Sequence, residues 1–309
     1  EILIGLVGSE MCIRDRRYPG GKSALYPAIS GIIKSNKMDH CIYVEPFAGG
    51  ANIAWSLLID GVVDFIIIND ADRAVYSFWR AITESTHWFI EKVESVPVTV
   101  EEWHKQRAIL QGAKRYSKEL GFAMFFLNRT NRSGILDAGP IGGYDQSGTY
   151  KIDCRFNKEV LIKKISKIAE CKNSVRIYNQ DISAFLRRFL PRWKNSGEMF
   201  IYFDPPYYEK GRRLYMNYFS SEDHEKLRNA VSLLDCKWIM TYDDNEKIDE
   251  LYKNYHRCRF SINYSLANKK RGGELMIFKD SSCIPCIETI SEMPRSISFD
   301  SRSINWEEK

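Results

Sequence analysis

Short apolar runs that stop at an acidic or amide residue and give way to helical periodicity recur along this chain, and this rhythm restricts its fold more than any other feature. Residues 41–44 run into Glu45-Pro-Phe-Ala-Gly-Gly50, after which 51–58 carries apolar residues at helical spacing. A second run, 65–68, ends in Asn69-Asp70 before a helical pattern over 73–83, which closes a βαβ unit with an acid about 20 residues past the glycines. The rhythm returns at 175–178, ending at Asp181 ahead of a helix over 182–190, and at 199–203, ending at Asp204. It continues as a helix over 221–234, a strand over 237–241 and a helix over 245–252. The runs 257–263 and 274–278 read as a hairpin that adds an antiparallel edge to an otherwise parallel sheet. The fold class expected is therefore α/β, a doubly wound sheet.

Between its two halves the pattern changes. Residues 85–171 are polar and helix-rich, then Gly-rich from 139 to 148, and read as an inserted, mostly helical lobe. The organisation expected is a catalytic domain over 17–84 and 172–279 and an inserted lobe over 85–171. Residues 1–16 lead into no element and are expected to be a non-native or disordered leader, and 280–309 a Ser-rich flexible tail. Lys and Arg exceed Asp and Glu by 45 to 40, a balance that permits nucleic acid without requiring it. The 8 cysteines show no regular framework, which suits a reducing cytoplasm. Cys283 and Cys286 read as two free thiols in the tail, no metal is expected, and no run approaches the ~20 apolar residues of a membrane span.

Asp204-Pro-Pro-Tyr207 is the most informative tetrapeptide, because two prolines after a strand-terminal acid force a rigid, extended exit at the carboxyl edge of a sheet. An exocyclic amino group on a nucleobase is a poor nucleophile, its lone pair being delocalised into the ring. The Asp204 carboxylate and the Pro205 carbonyl are fixed acceptors suited to hold such a group, with Pro206 stiffening the exit and Tyr207 offering a face for a flipped base. Glu45, Pro46, Phe47 and Gly49 lie where the chain must turn tightly beside a helix start and approach a ligand. Asp70 is placed to accept from ribose hydroxyls or to cap a helix, and Asp181 to accept from a cofactor amino group or to cap the next helix. Arg17-Tyr-Pro-Gly-Gly-Lys22 is a glycine loop in which Lys22 meets a carboxylate and Tyr18 faces a sulfonium or purine ring. Asn128, Arg129, Thr130 and Arg132, with Tyr144, Gln146, Lys151 and Arg155, put amide, cationic and aromatic groups on loops of the lobe, the chemistry of DNA contacts. Arg212, in the cluster 210–213, suits a phosphate backbone.

Taken in order, RYPGGK, YVEPFAGGANIAWSLL, IINDAD, NRT, IYFDPPYY, MTYDDNEKIDELY and GGELMIF resemble the Dam family of N6-adenine-specific DNA methyltransferases over about residues 17–279. The resemblance implies S-adenosylmethionine as methyl donor, a seven-stranded Rossmann-like sheet, and an inserted target-recognition lobe that binds double-stranded DNA. It places Tyr18, Lys22, Asp70 and Asp204 around the cofactor and turns residues 204–207 toward the target adenine. A site-specific adenine methyltransferase of the bacterial or phage-infected cytoplasm is the expected activity, acting as a monomer, with a cognate restriction endonuclease as the partner such enzymes can have. Cytosine-N4 methylation, adenine-N6 methylation of RNA and a silent nucleic-acid-binding relative are the alternatives that an acid-Pro-Pro-Tyr clamp leaves open. After Asn128-Arg-Thr130 the sequence departs from the better-known members, so their GATC target is not carried over.

Overall fold

A computed structural model of the chain describes residues 22–208, 219–262, 272–286 and 297–299. Tyr18, Arg212 with its basic cluster, and the leader 1–16 lie outside the described residues. The sheet is built from β1 (Ile42–Glu45), β2 (Phe65–Asn69), β3 (Val175–Tyr178), β4 (Met199–Phe203), β5 (Lys237–Asp243), β6 (His256–Ile262), β7 (Gly272–Phe278) and β8 (Ile297–Phe299). Their order is β3-β2-β1-β4-β5-β7-β6-β8. The first five are parallel to one another, whereas β7 runs antiparallel to both β5 and β6.

Burial on both faces explains why the strands read as unbroken apolar runs. Tyr43, Ile66, Ile68, Phe200, Tyr202 and Ile239 point into one core, and their alternates Ile42, Val44, Ile67, Ile201, Phe203 and Met240 into the other. The first core is covered by α1 (Tyr26–Ser35), α2 (Asn52–Ile59) and α3 (Arg73–Glu84). Leu227 and Val231 of α9 (Ser221–Ser232) and Ile248 of α10 (Glu246–Leu251) cover the second. This is a doubly wound α/β sheet, as the strand rhythm predicts.

Residues 86–170 supply α4 (Thr86–Ser95), α5 (Val100–Gly112), α6 (Lys118–Thr130) and α7 (Lys158–Glu170). Their buried Phe89, Trp103, Phe122 and Phe125 join the same cluster as Phe78 and Trp79 of α3, with Phe78 stacked on Phe125 at 5.9 Å. The insertion therefore shares the core of the first sheet face and does not close a core of its own.

The expected hairpin does add an antiparallel edge: β7 enters between β5 and β6, its apolar run 275–278 buried, and the outermost place passes to β8. Three expectations are corrected. The sheet gains an eighth strand from the segment expected to be a flexible tail, where Cys283 is also fully buried. The helix expected over 182–190 is a single turn, α8 (Ile182–Ala184), followed by π-helical Phe185–Phe189 and a 3-10 turn, Leu190–Trp193. Pro191 has no N–H to continue regular i to i−4 bonding. Finally, Asn128, Arg129 and Thr130 are not on a loop but form the last turn of α6.

The crossing of α3 and α6 is set by Gly121, where an added Cβ would run into the Ser77 carbonyl and lie 2.9 Å from Phe78 Cα. Both obstacles are backbone and cannot rotate away. Gly121→Ala should destabilise the fold by about 1–3 kcal/mol, as overpacking does, measured as a lower urea midpoint with an unchanged slope.

Candidate active site

β1 and β4 lie side by side, yet the chain leaves them toward opposite faces of the sheet: α2 packs into the first core, and α9, the next helix described after β4, into the second. A crevice opens at such a switch point, at the carboxyl ends of the strands. The turn after β1 borders it. Gly49 has φ +45° and Ala51 φ +44°, and a Cβ on Gly49 would meet nothing within 4 Å. The turn is held from behind: Trp79 Nε1 donates to the Gly49 carbonyl at 2.9 Å, and Asn69 Nδ2 to the Pro46 carbonyl at 3.0 Å.

Asp70 binds this turn directly. Its Oδ2 accepts from Gly49 N at 2.8 Å and its Oδ1 from Asp72 N at 2.8 Å. Capping of α3 falls to Asp72, which accepts from Ala74 N at 2.7 Å, so Asp70 is not the N-cap. Desolvation nonetheless raises the Asp70 carboxyl to about 6. Phe47 is half-buried and meets Phe219 edge to face at 5.8 Å. Glu45 is buried, and its Oε1 accepts from Tyr43 Oη at 3.0 Å and Ala54 N at 3.1 Å, which ties β1 to α2. Burial, opposed by those two hydrogen bonds, pushes its carboxyl up to about 8. Asp181 is exposed and caps α8, accepting from Ala184 N at 2.9 Å, which is the second of its two sequence readings.

Across the crevice, Asp204 ends β4 with Thr241 Oγ1 donating to its Oδ1 at 3.0 Å. That hydroxyl is itself 2.9 Å from Tyr202 Oη. Desolvation raises the Asp204 carboxyl to about 6, with Lys22 pulling it down and Glu274 pushing it up. Lys22 is buried, its Nζ 3.8 Å from Asp204 Oδ1, 2.6 Å from Tyr207 Oη and in direct contact with Glu274 Oε2. It meets a carboxylate as expected, but one supplied by the protein. Tyr207 donates to Glu274 Oε1 at 3.1 Å and its ring is buried, while Pro205 is buried and Pro206 half-buried. Asp243 Oδ1 accepts from Tyr208 N at 2.9 Å and so fixes the chain just beyond the tetrapeptide.

The lobe residues fall into two groups. Asn128, Arg129 and Thr130 are buried: Asn128 donates to the Gly134 carbonyl, Thr130 to that of Phe126, and the Arg129 guanidinium to that of Arg155 at 3.0 and 2.8 Å. Gln146 organises its own loop, donating to the Ile141 carbonyl and accepting from Ile152 N. These side chains build the lobe. Arg132, Tyr144 and Lys151 are exposed and Arg155 half-buried, with Tyr144 stacked on His104 at 5.8 Å. Lys151 donates to the Gln146 carbonyl.

Sequence reasoning missed Thr241, Asp243 and Glu274. Each is a polar residue buried in a largely apolar strand, and Glu274 is only 2 % exposed. That signal was available, since buried carboxylates need a partner. Among the described residues no group of three or more His, Cys, Asp or Glu could hold a metal ion, and no helix is long and apolar enough to cross a membrane.

Residues 18–266 match the sequence profile of the D12 class N6 adenine-specific DNA methyltransferases. The Type II methyltransferase M.CviBI of Paramecium bursaria Chlorella virus NC1A is 23 % identical over 271 residues, covering 80 % of this chain and 89 % of that one. Two structures of the rRNA methyltransferase aviRa from Streptomyces viridochromogenes align over 95 % of this chain, and over 95 % and 93 % of their own, at 9 % identity and TM-scores of 0.37 and 0.36.

Glu45 makes the site's electrostatics testable. Its carboxyl is raised from 4.5 to about 8, so the folded state favours the protonated form. Its contribution to stability is complete below the unfolded value and is lost as pH rises through about 8. Glu45→Gln should abolish that part of the loss, so the difference in melting temperature between variant and wild type should grow in the variant's favour from pH 5 to pH 9. A difference independent of pH would refute the assignment.

Proposed function

This chain belongs to the D12 class N6 adenine-specific DNA methyltransferase family, and from that premise we propose that it uses S-adenosylmethionine to methylate N6 of an adenine flipped out of duplex DNA into the crevice between β1 and β4. The observation that carries this reading is the Asp204 carboxylate, hydrogen-bonded by neutral Thr241 just past the carboxyl end of β4, the strand paired with β1, whose following turn Asp70 holds.

The donor set supports a nucleoside without phosphates. In dinucleotide folds the turn amides face a pyrophosphate, but here the Asp70 carboxylate accepts from Gly49 N and would repel one. An acid and an aromatic ring, Phe47, beside an open glycine suit ribose hydroxyls, a purine and a cationic centre. Asp70, Gly49, Pro46 and Phe47 would hold the cofactor, joined by Tyr18, Lys22 and Asp181. When bound, S-adenosylmethionine supplies an electrophilic methyl group.

The protein's own work is to position and deprotonate the acceptor. At neutral pH an Asp204 carboxyl near 6 is ionised and accepts a hydrogen bond from the adenine amino group, with the Pro205 carbonyl as the second acceptor. Both draw the nitrogen toward tetrahedral geometry and stabilise the positive charge it develops. Asp204 would also receive the proton that leaves. The prolines hold these acceptors still, and Tyr207, its hydroxyl engaged by Lys22, lines the base pocket. Arg132, Tyr144, Lys151 and Arg155 form the duplex-facing surface of the lobe in this reading, and Arg212 is a further phosphate contact by its chemistry alone.

We further propose that the enzyme works as a monomer in the cytoplasm of a bacterial or phage-infected cell. Buried thiols such as Cys41, pushed up to about 12 by desolvation, suit a reducing compartment. The Type II designation of the viral relative supports pairing with a restriction endonuclease.

With isotope-labelled S-adenosylmethionine and unmethylated DNA, nucleoside digestion and mass spectrometry should yield labelled N6-methyladenine. Asp204→Ala should lose turnover by at least ~100-fold, the scale of a removed transition-state acceptor, while keeping its melting temperature and affinity for DNA. Labelled N4-methylcytosine, or methylation retained by the variant, would refute the proposal.

A further inference from the structure

Glu274 has no role in the chemistry described so far, yet it is more deeply buried than Asp204 and touches two members of the site. It lies on β7 opposite Asp243 of β5 and Phe260 of β6, at the polar end of a strand whose remaining residues, Leu275 to Phe278, are fully apolar. A carboxylate is costly in such a position without specific partners. Both of its oxygens have one: Oε2 pairs with Lys22 Nζ, and Oε1 accepts from Tyr207 Oη at 3.1 Å. The triangle closes because Lys22 Nζ donates to Tyr207 Oη at 2.6 Å. Of the three, Glu274 alone sits in a strand paired on both sides, so it is the fixed corner.

We propose that Glu274 is a positioning residue for methyl transfer: it locks the Tyr207 ring through its hydroxyl and draws the Lys22 ammonium away from Asp204, keeping that carboxylate available to the target amino group. This rests on the function proposed above. Lys22 Nζ stands 3.8 Å from Asp204 Oδ1, beyond hydrogen-bond reach, and the hydrogen bond to that oxygen comes instead from neutral Thr241. Were the ammonium to close on Asp204, the carboxylate would be a weaker acceptor for a base. Among the described residues, the charged and titratable groups coupled to Asp204 include Lys22 before α1, Glu45 on β1, Tyr202 on β4, Tyr242 on β5 and Glu274 on β7. Removing the negative charge of Glu274 therefore acts twice in one direction: repulsion of the Asp204 carboxylate disappears and Lys22 is released toward it.

The test is steady-state methyl transfer by wild type, Glu274→Gln, Glu274→Asp, Tyr207→Phe and the Glu274→Gln/Tyr207→Phe double variant, with melting temperature and DNA affinity measured alongside. Glu274→Gln should lower kcat by ~10–100-fold, the cost of a small misplacement of reacting groups, with KM for DNA and the folded fraction nearly unchanged. The acid limb of its pH profile should move below the wild-type position, Glu274→Asp should recover part of kcat, and the double variant should be less impaired than the product of the single losses. A kcat comparable to wild type, an unmoved acid limb, multiplicative losses, or a loss fully accounted for by unfolding would each overturn the role of Glu274. An inactive wild type on unmethylated DNA would overturn the functional reading itself, whereas an active wild type with an unaffected Glu274→Gln overturns only this inference.

Discussion

Pairing of β1 with β4 is the constraint on which the rest of the site depends. Ile42 lies beside Met199, Tyr43 beside Phe200 and Val44 beside Ile201, so two strands far apart in sequence end together. Because they are parallel, their carboxyl ends share one edge, and because the chain leaves them toward opposite faces, that edge stays open. The turn that carries Gly49 and the tetrapeptide that carries Asp204 are neighbours for this reason alone. A one-residue slip would exchange the two core faces of β4, sending Phe200 and Tyr202 to the side of α9 and moving Asp204 out of reach of Thr241.

That edge is dry enough for charge to be expensive, and the protein reduces its charge there by two different means. Glu45 is neutralised by a proton, its carboxyl being raised to about 8 by burial. Lys22 and Glu274 neutralise each other through a direct ion pair supported by the Tyr207 hydroxyl. Asp204 belongs to neither device. With its carboxyl at about 6 it is ionised at neutral pH but only modestly stabilised, the state that the acceptor role proposed above requires.

Much of the sheet was legible because its strands are buried on both faces and stop at acids, which gives a run with a marked end. Asp70 and Asp204 were found that way. Glu274 was not, because it sits at the start of its strand rather than the end, and its partner Lys22 lies at the other extremity of the chain. The lobe misled for a related reason. Asn128, Arg129 and Thr130 have the composition of a nucleic-acid loop, yet they satisfy carbonyls around the end of α6, a use that composition cannot distinguish. Residues 297–299 were hidden because three residues carry no periodicity, and their pairing is decided by the free edge of β6.

The shared core of lobe and sheet bears on how recognition is coupled to chemistry. α3 begins at its Asp72 cap, two residues beyond Asp70, and packs through Ser77 and Phe78 against Gly121 of α6. The far end of α6 carries the loop: Ile141 N donates to the Thr130 carbonyl, Asn131 bridges to Pro140, and the Arg129 guanidinium grips the Arg155 carbonyl. A continuous path of close-packed helix thus joins the loop to the strand end that holds the turn at Gly49. Packed interiors have low compressibility, so on the function proposed above a duplex held by the exposed Arg132 and Tyr144 would present a base to Asp204 at an offset set by this packing. On that reading, exposed loop positions such as Arg132 and Tyr144 would vary to read different sequences while this spacing persists, because they lie outside the core that sets it.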